Sequence, residues 1–317
     1  MRAPLAIPVS LEIPTAKETW QSATSSQRAR IAYAVLRVLL VWALFSVSHT
    51  AHSTSAFAHL VAYDVVADLV LALVSVLGNF EVWTQSSLRL PFALQRSEVL
   101  LGFALSITLM FFGFDIFSHV IQDIAQAMAG DAHGHHGHHS HGDGVHFDGI
   151  TAGLLLITVN EITVISRMLT FEHYWSENQI GCVTAVFGIV LLLLPSLPFA
   201  SLIDTLLTPL MSLCMVYFGW QVAKYFGGML VMSHVGRDNT HSLYEALSKI
   251  KHVNQVSEIA LWQVHHDLWL ASAKIVMSGS DSDETDVREL AAGTIKRVLF
   301  DVANLETTID ITRTSLD

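Results

Sequence analysis

Charged residues are scarce in this chain: they make up 14% of its 317 residues, against about 25% in a typical soluble domain. That shortage argues against a soluble globular protein. Cysteine is nearly absent, and both copies, Cys182 and Cys214, lie within apolar runs. That argues against a disulfide framework and against a cysteine-based zinc site. The 17 Lys and Arg residues form no basic stripe, which excludes a nucleic-acid-binding surface. No nucleophile–base pair and no cofactor-binding loop appear, so no enzymatic activity is expected. The first residues also lack the basic start, apolar core and small-residue cleavage site of a signal peptide. Residues 1–30 are expected to be a polar, flexible cytosolic leader.

What the chain does have is long apolar runs, 52% of its residues being hydrophobic. Six are long enough for a bilayer core of about 30 Å: Ile31–Ser48, Ala56–Gly78, Glu98–His119, Gly149–Arg167, Gln179–Pro195 and Ser201–Val222. The basic residues predict their orientation. Arg28 and Arg30 precede the first run, Arg89 and Arg96 lie between the second and third, and Arg167 closes the fourth. Lys224, Arg237, Lys249 and Lys251 follow the sixth. The connections near 49–55, 120–148 and 196–200 carry no Lys or Arg. Both termini are thus expected in the cytosol.

Beyond about Asn239 the pattern becomes that of a soluble domain, residues 239–317. Leu243, Ala246, Leu247 and Ile250 recur at helical spacing within Ser242–Val253. Val256–His265 and Leu268–Met277 predict two strands turning at His266-Asp267. Ser278–Glu284 predicts a polar loop, Asp286–Val302 an amphipathic helix and Leu305–Thr312 a last strand. The expected fold is an all-α six-helix transmembrane domain over 31–230, then a small α+β domain of α-β-β-α-β order, ferredoxin-like. So small a domain leans readily on a partner.

Few polar groups fall inside the apolar runs. Asp64 and Asp68 lie mid-run, four apart and so on one helix face. An ionised carboxylate at bilayer depth is costly and needs a partner or a wet cavity. Two on one face suit a divalent-cation path; the plainer alternative is a hydrogen-bonded pair joining helices. Asn160 is a further oxygen-ligand candidate or an interhelical hydrogen bond, with Glu161 beside it. Asp204, opening the last run, reads as a helix cap. Between 131 and 146 stand His133, His135, His136, His138, His139, His141 and His146, seven of the chain's 17 histidines. Neutral imidazoles on glycine spacers suit Zn²⁺ at low affinity, although such a loop also serves as a plain solvated linker. His265 and His266 are weaker metal candidates in the soluble domain.

Taken together these residues resemble the cation diffusion facilitator family of zinc transporters. The likeness runs over about residues 30–317. Asp64-Val-Val-Ala-Asp68 is similar to the family's His/Asp-x-x-x-Asp in span two. Pro91-Phe92-Ala-Leu-Gln-Arg96-Ser-Glu98-Val-Leu resembles the stretch that follows it, with Ala93 where the family has glycine. Asn160 falls where members carry an Asn in span four, and Trp262 resembles the tryptophan of their C-terminal domain. The family pattern departs at span five: members supply a His-x-x-x-Asp there, whereas this chain reads Ser176-Glu-Asn-Gln-Ile-Gly-Cys182. Half a tetrahedral site binds zinc poorly. The His-rich loop also joins spans three and four rather than four and five. Both departures are similar to the non-transporting subunit of heterodimeric zinc transporters of the early secretory pathway.

The resemblance implies an endoplasmic reticulum or Golgi membrane and a related six-span partner. The complex would exchange zinc for protons, with zinc as transported or regulatory ion. Two alternatives stand beside it. One is a self-sufficient homodimer using Asp64, Asp68, Asn160 and a span-five ligand such as Asn178, whose oxygen-rich set favours Mn²⁺ or Fe²⁺. The other is a membrane-bound metal sensor or scaffold acting through residues 239–317.

Overall fold

A computed structural model describes residues 8–48, 52–129, 148–162, 179–197, 199–233, 237–266, 268–299 and 304–313. The expected ligands Asn178 and His133 to His146 lie outside them. The leader is more structured than its composition suggests. Thr15 opens helix α1 (Ala16–Ser22) and Thr24 opens α2 (Ser25–Val47), each through a reciprocal capping box with the residue three on, Glu18 and Gln27. The Gln27 side chain also donates to the Ser75 carbonyl at 2.6 Å, fastening the start of α2 to the end of α3 (His52–Leu77).

Among the described residues four helices are long and apolar enough to cross a membrane: α2, α3, α5 (Arg96–Ala129) and α8 (Ala200–Leu230). Between α3 and α5 lies the short α4 (Glu81–Thr84). Among the described residues the fourth and fifth expected spans are represented by the apolar helices α6 (Gly149–Asn160) and α7 (Gln179–Leu193), the latter prolonged by a 3₁₀ turn at Leu194–Ser196. One boundary moves substantially. The third run was expected to end at His119, but its helix continues to Ala129, because residues 120–129 contain neither glycine nor proline to break it. Large apolar residues stand outward on these helices, with Trp42 74%, Phe111 66% and Trp220 59% exposed. Patches of that kind belong against lipid rather than water.

The chain divides into two compact units. The first, 12–83 and 101–223, holds the apolar helices around a core that includes Leu44, Phe57, Leu60, Leu109, Leu155 and Met211. Within it α5 and α8 approach closely at two glycines. A Cβ on Gly113 would lie 2.8 Å from the Ser212 carbonyl oxygen, and one on Gly219 would lie 3.0 Å from that of Ser106. Small residues permit such contact where no hydrophobic effect drives helices together.

The second unit comprises residues 8–11, Thr84–Leu100 and the chain from Lys224 onward. Its sheet has the order β1-β2-β3: β1 (Val253–His265) pairs antiparallel with β2 (Leu268–Met277), and β2 pairs parallel with β3 (Asn304–Arg313). The parallel pair is joined by α10 (Asp281–Val298), and α9 (Arg237–Ser248) precedes the sheet. Ala271, Ala273, Ile275 and Met277 alternate inward on β2 and pack with Leu243 and Leu247 of α9 and Val287, Ala291 and Ile295 of α10. The α-β-β-α-β order expected from the sequence is present.

Both helices begin earlier than their apolar spacing indicated. At α10, part of the expected polar loop 278–284 belongs to the helix, because Ser280 and Asp283 form a capping box ahead of the first apolar position. Arg313 on β3, and then Arg288 on α10, donate to Glu284, which holds its carboxyl below the usual carboxylate range.

The stretch before α5 shows why glycine suits the position of Ala93. Its φ is +54°, a left-handed conformation that favours glycine. There the chain turns so that Arg96 donates to the Leu230 carbonyl at the end of α8 while its guanidinium lies over the Phe92 ring. Restoring glycine should relieve a strain of about 1 kcal/mol. Ala93→Gly is expected to raise the unfolding midpoint of the purified chain slightly; a fall would show that the turn relaxes without cost.

Candidate functional site

The inward face of α2 is spaced three and four residues apart: Ala34, Arg37, Val41 and Leu44 are buried. Three of these are apolar, so the same pattern that packs the helix carries an arginine into the interior. Arg37 is 2% exposed. A buried guanidinium is tolerated only when its charge and donors are met. On α3, Asp64 and Asp68 share the face that also buries Phe57, Leu60, Val61 and Val65. At the end of α6 a widened π-type turn covers Glu161 and Ile162 and carries the Glu161 side chain inward.

The three acids meet at Arg37. Its Nη2 donates to Asp64 Oδ2 at 2.7 Å and its Nη1 to Asp68 Oδ2, while Nε stands 2.8 Å from Glu161 Oε1. The last contact is an ion pair by distance whose alignment falls short of a hydrogen bond. Tyr33, one turn before Arg37 on α2, donates its hydroxyl to Glu161, and its ring lies 5.9 Å from the guanidinium carbon. Asp64 and Glu161 are enclosed, their side chains 6% and 7% exposed, whereas that of Asp68 is 37% exposed and forms the open side. One fork-shaped cation thus joins carboxyl groups from two other helices, a geometry that lysine's point charge does not reproduce.

This differs from the expected arrangement in one partner and one ligand. The carboxylates of α3 face an internal cation that the span reading passed over, although an arginine within an apolar run is itself a signal. Glu161, the weaker candidate, turns into the cluster, while the side chain of Asn160 is exposed at the end of α6. Among the described residues no group of three or more His, Cys, Asp or Glu is arranged to hold a metal ion. His265 is buried at the end of β1, beside a cavity of about 660 Å³ that Lys296, Asn304 and Glu306 also line, and its neighbour His266 is exposed.

A second polar contact lies near the start of α3. Asp204, on the first turns of α8, accepts from the Ser53 backbone N–H at 3.3 Å and from the Ser53 hydroxyl. It was expected to cap its own helix. It caps the neighbouring one instead, because α8 already begins at Ala200 and the carboxylate faces the open first turn of α3.

No family model matches the chain. Among characterised proteins it is 28% identical over 309 residues to the probable zinc transporter zrg17 of Schizosaccharomyces pombe, covering 91% of this chain and 74% of that protein. It is 25% identical over 262 residues to protein ZRG17 of Saccharomyces cerevisiae, covering 73% of this chain. The match takes in 42% of that second relative, whose length this chain spans by less than half. Relatives therefore accompany the resemblance carried by the residues: the chain, with its membrane-crossing apolar helices, is similar to a probable zinc transporter and to protein ZRG17.

Proposed function

We propose that the chain is a subunit of a zinc(II)/proton antiporter moving zinc from the cytosol into the lumen of the secretory pathway, as the auxiliary member of a heterodimer. The relatives support the zinc assignment, one of them bearing the name of a probable zinc transporter. The observation that carries the auxiliary role is Arg37. Its guanidinium engages Asp64, Asp68 and Glu161, the acids otherwise available in this region for a passing cation. A carrier must release its cation, whereas arginine stays charged at every physiological pH and is covalently attached. Asp64 and Asp68 then have a structural or modulatory role here, and the partner supplies the complete transport site.

In this reading the chain crosses the membrane six times with both termini in the cytosol, in the endoplasmic reticulum or Golgi. The His-rich loop 131–146 would face the lumen, where it buffers delivered zinc. The soluble domain at 239–317 joins the two subunits. A self-sufficient Mn²⁺ or Fe²⁺ carrier is disfavoured because its proposed acids are already paired.

The test is zinc uptake into proteoliposomes under an imposed proton gradient. The chain alone is expected to give uptake near background, and the chain copurified with a related six-span subunit to give robust, gradient-dependent uptake. Robust uptake by the chain alone, abolished by Asp64→Ala, would refute the auxiliary role.

A further inference from the structure

We propose that Arg37 is the specificity-determining residue of this chain: a tethered cation that occupies the position of a transported ion, bars divalent metal and pins α2, α3 and α6 together. The proposal rests on the auxiliary reading and supplies its physical cause.

Three features of the cluster lead to it. The first is position. The guanidinium is 2% exposed and touches acids that approach from α3 and from the end of α6, so it sits among them rather than beside them. The second is stoichiometry of charge. Three carboxyl groups surround one monovalent cation, more acid than a single arginine requires as a structural partner and a donor set suited to a divalent ion. The third is geometry. Asp64, Asp68 and Glu161 each contact a different guanidinium nitrogen, Nη2, Nη1 and Nε, so the arginine fills the space between the carboxyl groups that a shared metal ion would need. The arginine therefore stands between the acids as their shared counter-charge.

Removing the arginine should leave a set of oxygen donors that accepts a divalent cation. Because the set contains carboxylates and neither imidazole nor thiolate, it should take Mn²⁺ readily, with Zn²⁺ as a competitor.

The experiment uses the full chain in detergent with all seven histidines of the 131–146 loop replaced by serine, so that the loop does not report. Mn²⁺ is the probe, followed by loss of the free-ion electron paramagnetic resonance signal. With Arg37 present, no stoichiometric Mn²⁺ or Zn²⁺ binding is expected, either with Asp64 or with Asp64→Asn. Arg37→Gln should gain about one Mn²⁺ per chain, lost again in Arg37→Gln/Asp64→Asn. Stoichiometric binding by the Arg37 chain that Asp64→Asn removes would overturn the proposal; so would a monodisperse Arg37→Gln protein that binds none. The arm with Arg37 intact can overturn the proposal even if Arg37→Gln fails to fold, and Arg37→Lys, which keeps the charge but not the fork, then serves in its place. Zinc uptake by the chain alone separates the two readings: uptake insensitive to Asp64→Ala refutes only the auxiliary role, and uptake abolished by it refutes both.

Discussion

Replacing Arg37 with glutamine is expected to lower the stability of the folded chain by about 3–5 kcal/mol, the usual consequence of removing one partner from a buried ion pair. The size follows from what remains. Asp64 and Glu161 have side chains 6% and 7% exposed, so without the guanidinium they are left as enclosed acids with no cation. The loss should appear in denaturant or thermal unfolding in detergent, with Arg30→Gln, at an exposed position, as a near-neutral comparison. The cluster also predicts strong non-additivity. Adding Asp64→Asn to Arg37→Gln should recover part of the loss, because it removes a charge that the first change left unbalanced. A loss below about 1 kcal/mol, or simple additivity, would show that water reaches the acids freely and that Arg37 is not their enclosed counter-ion.

Asp204→Ala carries the second largest expected loss, about 2–3 kcal/mol. It combines an unsatisfied buried group with a missing helix cap. Ser53 is fully buried, and its backbone N–H and hydroxyl both donate to Asp204 Oδ1. Alanine leaves both donors without an acceptor at the positive end of α3. Asp204→Asn keeps an acceptor oxygen but not the charge, and should lose about half as much. Ser53→Ala combined with Asp204→Ala should cost less than the sum of the two single changes, since each removes the other's partner. Equal losses for Asp204→Asn and Asp204→Ala in unfolding experiments would show that the charge, not the hydrogen bond, supplies the stabilisation.

These two contacts mark where local pattern stops being informative. Arg37 and Asp64 are 27 residues apart, Tyr33 and Glu161 are 128, and Ser53 and Asp204 are 151. Nothing in the residues flanking Asp204 says which helix end it will meet, so self-capping and capping of α3 are equally consistent with its surroundings. Arg37 was more nearly legible. Ala34, Arg37, Val41 and Leu44 already place it on one face of α2, and a charge on the buried face of an apolar helix calls for a partner. Asn160 and Glu161 are neighbours about 100° apart around a helix, so only their packing could say which of the two turns inward.

By itself the amino-acid order determined the apolar runs, the C-terminal α-β-β-α-β succession and the alternation of Ala271, Ala273, Ile275 and Met277 on β2. Such features depend on residues within a turn or two of one another, where hydrophobicity and period act directly. Tertiary structure alone decided that the acids of α3 face an arginine, that Glu161 joins them in place of Asn160, and that Asp204 serves α3. Burial makes the difference: packing the helices removes water from these groups, and each charged or donor atom must then find a partner wherever the fold has brought one within reach.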